Sequence, residues 1–273
     1  MTEERKKQLE QSAHSIRVDI IRAGYGAGSK GAHFGGCLSM AEILAVLYSN
    51  YVNYRLDDLE NRDRVILSKG HAALGLYAVL HQKGFITTEE LYSFEHDGSN
   101  FVAHSKRFLD KGLEFAGGSL SLGLAHAVGV AYACKLKSLK NRVYVILGDG
   151  ELNEGLVWES LLFAAHKNLN NLTLIIDCNH LQACGSTNDI INTSPLKEKF
   201  ESFGFKAEEV DGHSVESLDT SFANLSSEMP TAIIANTIKG KGVSFIEDKF
   251  KWHHGVLTQA KYAKALKELG ITE

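Results

Sequence analysis

The chain has 273 residues, 44% hydrophobic and 23% charged, which are the proportions of an ordinary globular protein and not of a disordered, collagenous or disulfide-stapled one. Its 29 Lys and Arg against 33 Asp and Glu give a formal charge of −4, and no basic run exceeds Arg5-Lys6-Lys7, which disfavours a nucleic-acid or membrane-surface role. The polar start Met1-Thr2-Glu3-Glu4-Arg5 is unlike a signal peptide and no apolar stretch reaches the roughly 18 to 20 residues of a bilayer span, so the chain reads as cytoplasmic.

From Glu4 to Ala23 the apolar positions Leu9, Ala13, Ile16, Ile20 and Ala23 step by three and four, which predicts an amphipathic helix. A glycine-rich loop follows, Gly24 to Gly36. Within it Gly26-Ala27-Gly28-Ser29-Lys30-Gly31 matches GxGxxG, but it follows a helix where a dinucleotide fingerprint needs a strand, so it is not read as one. Ser39 with Glu42 three residues on predicts a capping box that opens a helix through Leu44, Val46 and Leu47. Apolar runs at Val65-Ile66-Leu67, Val143 to Leu147, Leu172 to Ile176 and Ala232 to Ala235 predict strands buried on both faces. Helices are predicted between and around them, near Ala72 to Lys83, Leu120 to Lys137, Leu156 to His166, Pro195 to Phe203, Val215 to Leu225 and Gln259 to Leu269. This alternation predicts an α/β fold with a mostly parallel sheet flanked by helices and with ligands at the carboxyl ends of the strands. With only Pro195 and Pro230 and no linker, residues 1–273 read as a single domain. Cys37, Cys134, Cys178 and Cys184 show no CxxC spacing, which suggests buried or idle thiols, neither a zinc site nor a disulfide framework.

The informative segment runs from Val143 to His180. A buried strand delivers Asp149 to its carboxyl end between Gly148 and Gly150, a helix crosses over, and a second strand delivers Asn179. A carboxylate, an amide oxygen and a backbone carbonyl just past them at Leu181 suit Mg²⁺, which takes one or two oxygens from protein and others from phosphate and water. Glycines around the aspartate let a bulky anion approach the backbone. The same residues also read as a plain turn with a loop cap, and spacing alone does not decide between the two.

Gly148-Asp149-Gly150 followed by Asn179 resembles the thiamine-diphosphate signature, and Gly148-Asp149-Gly150-Glu151-Leu152-Asn153-Glu154-Gly155 resembles its transketolase version. Further segments fall in that family's order: Ala32-His33-Phe34-Gly35-Gly36, Leu67-Ser68-Lys69-Gly70-His71-Ala72, Ala103-His104, Gly118-Ser119-Leu120, Ile238-Lys239-Gly240-Lys241-Gly242 and Trp252-His253-His254-Gly255. The resemblance implies a thiamine-diphosphate-binding fold. It implies a metal (Mg²⁺, with Ca²⁺ or Mn²⁺ as alternatives) on Asp149, Asn179 and the Leu181 carbonyl. It places His71, Gly150, Asn179 and His253 or His254 about the diphosphate and Leu120 against the cofactor rings, adds Gly118, Gly148, Glu151 and Glu154 to the cofactor-binding set, and sets Glu154 in the carboxylate network of a subunit interface. His33, His104 and a carboxy-terminal histidine, His254, become the candidates for binding substrate hydroxyls and moving protons. Five further histidines, His14, His81, His96, His126 and His166, with Asp177 and Glu159, read as structural, surface or interfacial.

Only the diphosphate-binding half of a full-length transketolase is matched. The family's cofactor-activating glutamate and phosphate-reading arginines lie in the pyrimidine-binding half, which implies a second polypeptide, a sugar or sugar-phosphate substrate and an α₂β₂ assembly. Departures from the family occur at Ala32 and Phe34, at the extra Lys30-Gly31, and at Ser121-Leu122-Gly123 where Gly-Gln-Gly is usual. They raise the expectation of a reshaped channel mouth and a specialised sugar. The competing readings are an enzyme that decarboxylates a 2-oxoacid such as pyruvate, and a cofactor-binding subunit without turnover.

Overall fold

In the computed structural model, which describes residues 1–272, Thr2 caps the first helix by accepting the Arg5 N–H on its Oγ1. Helix α1 (Glu3–Gly26) buries the predicted stripe of Leu9, Ala13, Ile16, Ile20 and Ala23. Helices α2 (Phe34–Leu38) and α3 (Ala41–Val46) follow, and here the expected capping box does not form. Ser39 is itself helical, and its Oγ donates to Asp177 Oδ2 at 2.6 Å. Glu42 takes two hydrogen bonds of 2.7 Å from the Arg17 guanidinium. Both side chains are buried, so long-range partners win over the local cap.

Five strands form one parallel sheet: β1 (Arg64–Leu67), β2 (Val143–Gly148), β3 (Leu172–Cys178), β4 (Lys206–Asp211) and β5 (Thr231–Asn236), in the order β1-β2-β3-β5-β4. Four correspond to the predicted apolar runs. The fifth, β4, has only Ala207 and Val210 as apolar residues and leaves most of its side chains exposed or half-buried, so it carries no buried-strand signature. Each face of the sheet has its own apolar layer. Tyr144, Ile146, Ile175 and Ile233 pack with α1, α3, α4 (Ala73–Gln82) and α10 (Val215–Ala223). Val143, Val145, Leu147, Leu174 and Ile176 pack with α6 (Leu122–Leu136), α7 (Gly155–His166) and α9 (Leu196–Ser202). Short helices α5 (Thr88–Tyr92) and α8 (Thr187–Ile190) sit in connections, and α11 (Gln259–Glu268) returns to α1. On α6 and α7, which pack together, Leu122, Leu136, Leu162 and Phe163 remain exposed. No helix among the described residues is long and apolar enough to cross a membrane.

Candidate functional site

The register that sets Gly148 opposite Asp177 brings the ends of β2 and β3 level, so Asp149 and Asn179 emerge side by side. Asp149 is buried, and its Oδ2 accepts the His180 N–H at 2.8 Å and the Thr187 hydroxyl at 3.4 Å. Burial, with the nearby Asp177 charge, pushes its pKa up to about 6. Asn179 donates through Nδ2 to Asp177 at 3.1 Å and accepts the Leu181 N–H on Oδ1 at 3.2 Å. That local turn exposes the Leu181 carbonyl beyond it, which accepts from Lys239 Nζ at 2.8 Å. Lys239 is itself buried, and burial lowers its pKa to about 8.

Beneath these groups lies Asp177, held by four side chains, three of them from remote segments of the chain. Lys69 Nζ donates to it at 2.5 Å, Ser39 Oγ at 2.6 Å, Asn179 Nδ2 at 3.1 Å, and Thr237 through its hydroxyl. Burial alone would raise the Asp177 pKa, but the Lys69 charge and these hydrogen bonds hold it below the usual carboxylate range. Glu151 also faces inward, and its carboxylate is taken up by the scaffold: Ser121 N–H at 2.6 Å, Gly148 N–H at 3.1 Å and the Ser68 hydroxyl.

The histidines meet because Ala32 and Gly255 exchange two backbone hydrogen bonds of 3.0 Å each. Gly31 makes that bridge possible: it sits at φ +65°, and a Cβ there would lie 2.3 Å from the Gly255 carbonyl oxygen. His33 becomes the hub, with ring centroids 5.4 Å from His71, 5.5 Å from His104, 5.3 Å from His253 and 4.7 Å from His254. Burial and the neighbouring imidazoles lower the His33 pKa to about 3. Burial and Lys239 lower that of His253 to about 4, and burial with Lys69 depresses that of His71. All three are neutral near pH 7, each able to donate from one ring nitrogen and accept at the other.

A histidine whose folded pKa is depressed contributes stability above about pH 6.5, lost as pH falls towards the folded value. Asp149 acts in the opposite sense, gaining as pH falls through about 6. Burial raises the pKa of Glu151 as well, so in the cavity three histidines stand against two carboxylates, and the urea midpoint is expected to drop between about pH 7 and pH 5. The drop should be smaller in the His33→Asn/His253→Asn double variant, and an equal drop would show that these rings do not control it.

One cavity of about 400 Å³ gathers every sequence-predicted site residue except His254. His33, His71, His104, Gly118, Leu120, Gly148, Asp149, Gly150, Glu151, Glu154, Asn179, Leu181 and His253 all line it. His254 stands exposed behind His33. Lys69, Lys239, Gly36, Asn153 and the Gln182-Ala183-Cys184 turn also line the cavity and were not singled out from sequence. Both lysines lie inside quoted motifs, but which basic residue turns inward is set by the fold. A hollow of about 470 Å³ beside Arg64 and His126 lies at the amino end of β1 and holds none of the predicted residues.

The departing residues lie outside the cavity lining. Phe34 is fully buried, edge-on to Trp252 at 6.2 Å, and Lys30 pairs with Asp97 at 2.9 Å. Ser121 takes a left-handed φ of 70° so that its N–H reaches Glu151. Of the other histidines, His14 bonds the Leu269 carbonyl at 2.7 Å, His81 pairs with Asp19 at 2.8 Å, His96 bonds the Gly26 carbonyl at 2.9 Å and His126 stacks on Phe115. His166 ends α7 and Glu159 is exposed on it.

The family described as "Transketolase, thiamine diphosphate binding domain" matches residues 8–273. One of the subunits of the apulose-4-phosphate transketolase of Actinobacillus succinogenes is 41% identical over 265 residues, covering 96% of each chain. The 6-deoxy-6-sulfo-D-fructose transketolase subunit SqwG of Clostridium sp. (strain MSTE9) is 35% identical over 279 residues, 97% of this chain and 98% of that one. Human transketolase is 38% identical over 98% of this chain, which spans 43% of the human protein. Among solved structures, transketolase from Leishmania mexicana superposes with a TM-score of 0.88 at 31% identity, over 96% of this chain and 41% of that one. A parallel sheet that presents Asp149, Asn179 and a histidine cluster at its carboxyl ends thus meets a family match over nearly the whole chain: the protein belongs to the transketolase family, in its thiamine diphosphate-binding domain.

Proposed function

We propose that the chain is the diphosphate-binding subunit of a two-chain transketolase, which moves a two-carbon ketol unit from a ketose or ketose phosphate to an aldehyde. The observation that carries this reading is one cavity lined by Asp149, Asn179 and Leu181 together with the neutral histidines His33, His71 and His253. The lining suits an anionic, hydroxyl-rich guest. His33 Nδ1 and Asn153 Oδ1 are buried without a hydrogen-bond partner, and a Cβ at Gly150 would lie 2.9 Å from Gln182 Cβ, so the floor of the cradle has no room for a side chain there.

Thiamine diphosphate, when bound, supplies the nucleophilic carbon and the electron sink. Asp149, Asn179 and the Leu181 carbonyl hold the divalent cation, Mg²⁺ by oxygen preference, with Ca²⁺ or Mn²⁺ as alternatives. Lys239, His71, His253 and the Gly150 backbone face the diphosphate, while Gly118 and Leu120 flank the rings. Glu151 and Gly148 act by fixing the turn that carries Asp149. His33 and His104 bind donor hydroxyls and move the proton between donor and acceptor, with His254 steadying His33 from behind. Neutral imidazole suits that work because it both gives and takes a proton near neutral pH.

The two relatives whose names make them single subunits of a transketolase match this chain almost end to end, which supports a companion chain carrying the pyrimidine-binding domain. The exposed Leu122, Leu136, Leu162 and Phe163 on α6 and α7 give that companion or a second copy an apolar face to cover, consistent with an α₂β₂ assembly, and we place the enzyme in the cytoplasm. The test combines the chain with its companion, thiamine diphosphate and Mg²⁺. It follows release of the aldehyde two carbons shorter from ketoses and ketose phosphates, against carbon dioxide from pyruvate. Aldehyde release that needs both chains is expected, and His104→Ala should lower donor kcat/KM by about tenfold to a hundredfold. Carbon dioxide from pyruvate alone, or turnover by this chain alone, would overturn the reading.

A further inference from the structure

A second group of metal-binding atoms adjoins the oxygen set and is different in kind. One Asp149 carboxylate oxygen, Cys178 Sγ and a His180 ring nitrogen lie within 4.8 Å of one another. Cys178 Sγ is 3.9 Å from His180 Nδ1. The fold places two of the three directly. Cys178 ends β3 and joins the apolar layer on the α6–α7 face, the opposite face from the Ser39 and Lys69 that hold Asp177. His180 follows in a left-handed turn at φ 59°, whose N–H is tied to Asp149 Oδ2 at 2.8 Å. Its ring is exposed and gives an ion a route inward.

We propose that Asp149, Cys178 and His180 form a soft-metal site for a Zn²⁺-class ion, which shares Asp149 with the activating cation and so blocks cofactor binding when filled. Tetrahedral zinc, with Zn–S near 2.3 Å and Zn–N near 2.0 to 2.1 Å, sets sulfur and nitrogen about 3.6 Å apart, so the Cys178–His180 pair closes with a small turn of the exposed imidazole. Thr187 Oγ1, 3.4 Å from Asp149 Oδ2, or a water completes four ligands. Burial, with the Asp149 and Asp177 charges, keeps the metal-free thiol protonated. On binding, the ion replaces that proton on Sγ, the proton leaves to solvent, and nothing is oxidised or reduced. Mg²⁺ prefers oxygen and does not compete for thiolate and imidazole, whereas Zn²⁺ and Co²⁺ bind both well. Sequence spacing does not reveal such a site, because the pair Cys178 and His180 recruits its third ligand from another strand.

The blocking effect rests on the metal role proposed for Asp149; the existence of the site does not. Co²⁺ titrated into the full chain without thiamine diphosphate is expected to give the near-ultraviolet thiolate-to-cobalt absorption of a single bound ion. The absorption should vanish in Cys178→Val, persist in Cys184→Ser, and require roughly tenfold more Co²⁺ or worse in Asp149→Asn and in the surface variant His180→Gln. No absorption in the wild type, its survival in Cys178→Val, or unchanged affinity in both Asp149→Asn and His180→Gln overturns the site. Zn²⁺ should then antagonise Mg²⁺-dependent thiamine diphosphate binding by the wild type, and at least tenfold less effectively in Cys178→Val. Equal antagonism in the two proteins overturns the block. If Asp149 does not hold the activating cation, the cobalt absorption remains and only the antagonism disappears, which separates the two failures.

Discussion

Asp149→Asn is expected to cost at least a hundredfold in Mg²⁺-dependent thiamine diphosphate affinity, about 3 kcal/mol, while leaving the metal-free fold as stable as before or more so. The two halves of that result have one cause. A carboxyl whose folded pKa is raised to about 6 contributes stability below its ordinary pKa near 3.8 and loses it as pH rises through about 6, so at neutral pH the full cost of the buried charge is present. That cost has an upper bound of about 3 kcal/mol, and the amide removes it while keeping an acceptor for the His180 N–H. A divalent cation reverses the balance because it needs the charge. Isothermal titration calorimetry with thermal denaturation of the metal-free protein checks both arms. Retained metal-dependent binding would remove Asp149 from the metal site.

Lys69→Met is expected to be the most destabilising single change, at about 3 to 5 kcal/mol, because it strands the fully buried Asp177 without its cation. Adding Asp177→Leu to it should recover part of that loss, since a buried ion pair is usually no better than a well-packed apolar pair and is costly only when halved. Urea denaturation of the single and double variants measures the coupling. A Lys69→Met loss below about 1 kcal/mol would mean that Ser39, Asn179 and Thr237 satisfy the carboxylate unaided.

What was legible in the sequence was what is local. Asp149 lies one residue past β2 and Asn179 one past β3, so two apolar runs and the residue after each were enough to set them side by side. The histidine motifs fall in loops at strand and helix ends, where a parallel sheet places its ligands. What depends on distant partners was not legible. Ser39 and Glu42 satisfy a capping rule on paper, yet Asp177 and Arg17 claim them. Spacing cannot separate His253 from His254; the helical turn Phe250–Trp252 and the Ala32 bridge turn the first inward and leave the second outside. Strand β4 lacks an apolar run because most of its side chains stay exposed or half-buried, and Lys239 reveals itself only where its ammonium meets the Leu181 carbonyl.

The four-way grip on Asp177 also bears on how the protein comes apart. Binding sites usually belong to the least protected parts of a fold, where loops open one at a time without disturbing the rest. Here the floor of the site is a knot of segments drawn from the start, middle and end of the chain, and freeing any one takes a partner from a fully buried carboxylate. The floor therefore opens only with the sheet itself. Its assembly waits on contacts between remote stretches of polypeptide, so slow, non-local closure is built into the same residues that make the finished cradle rigid.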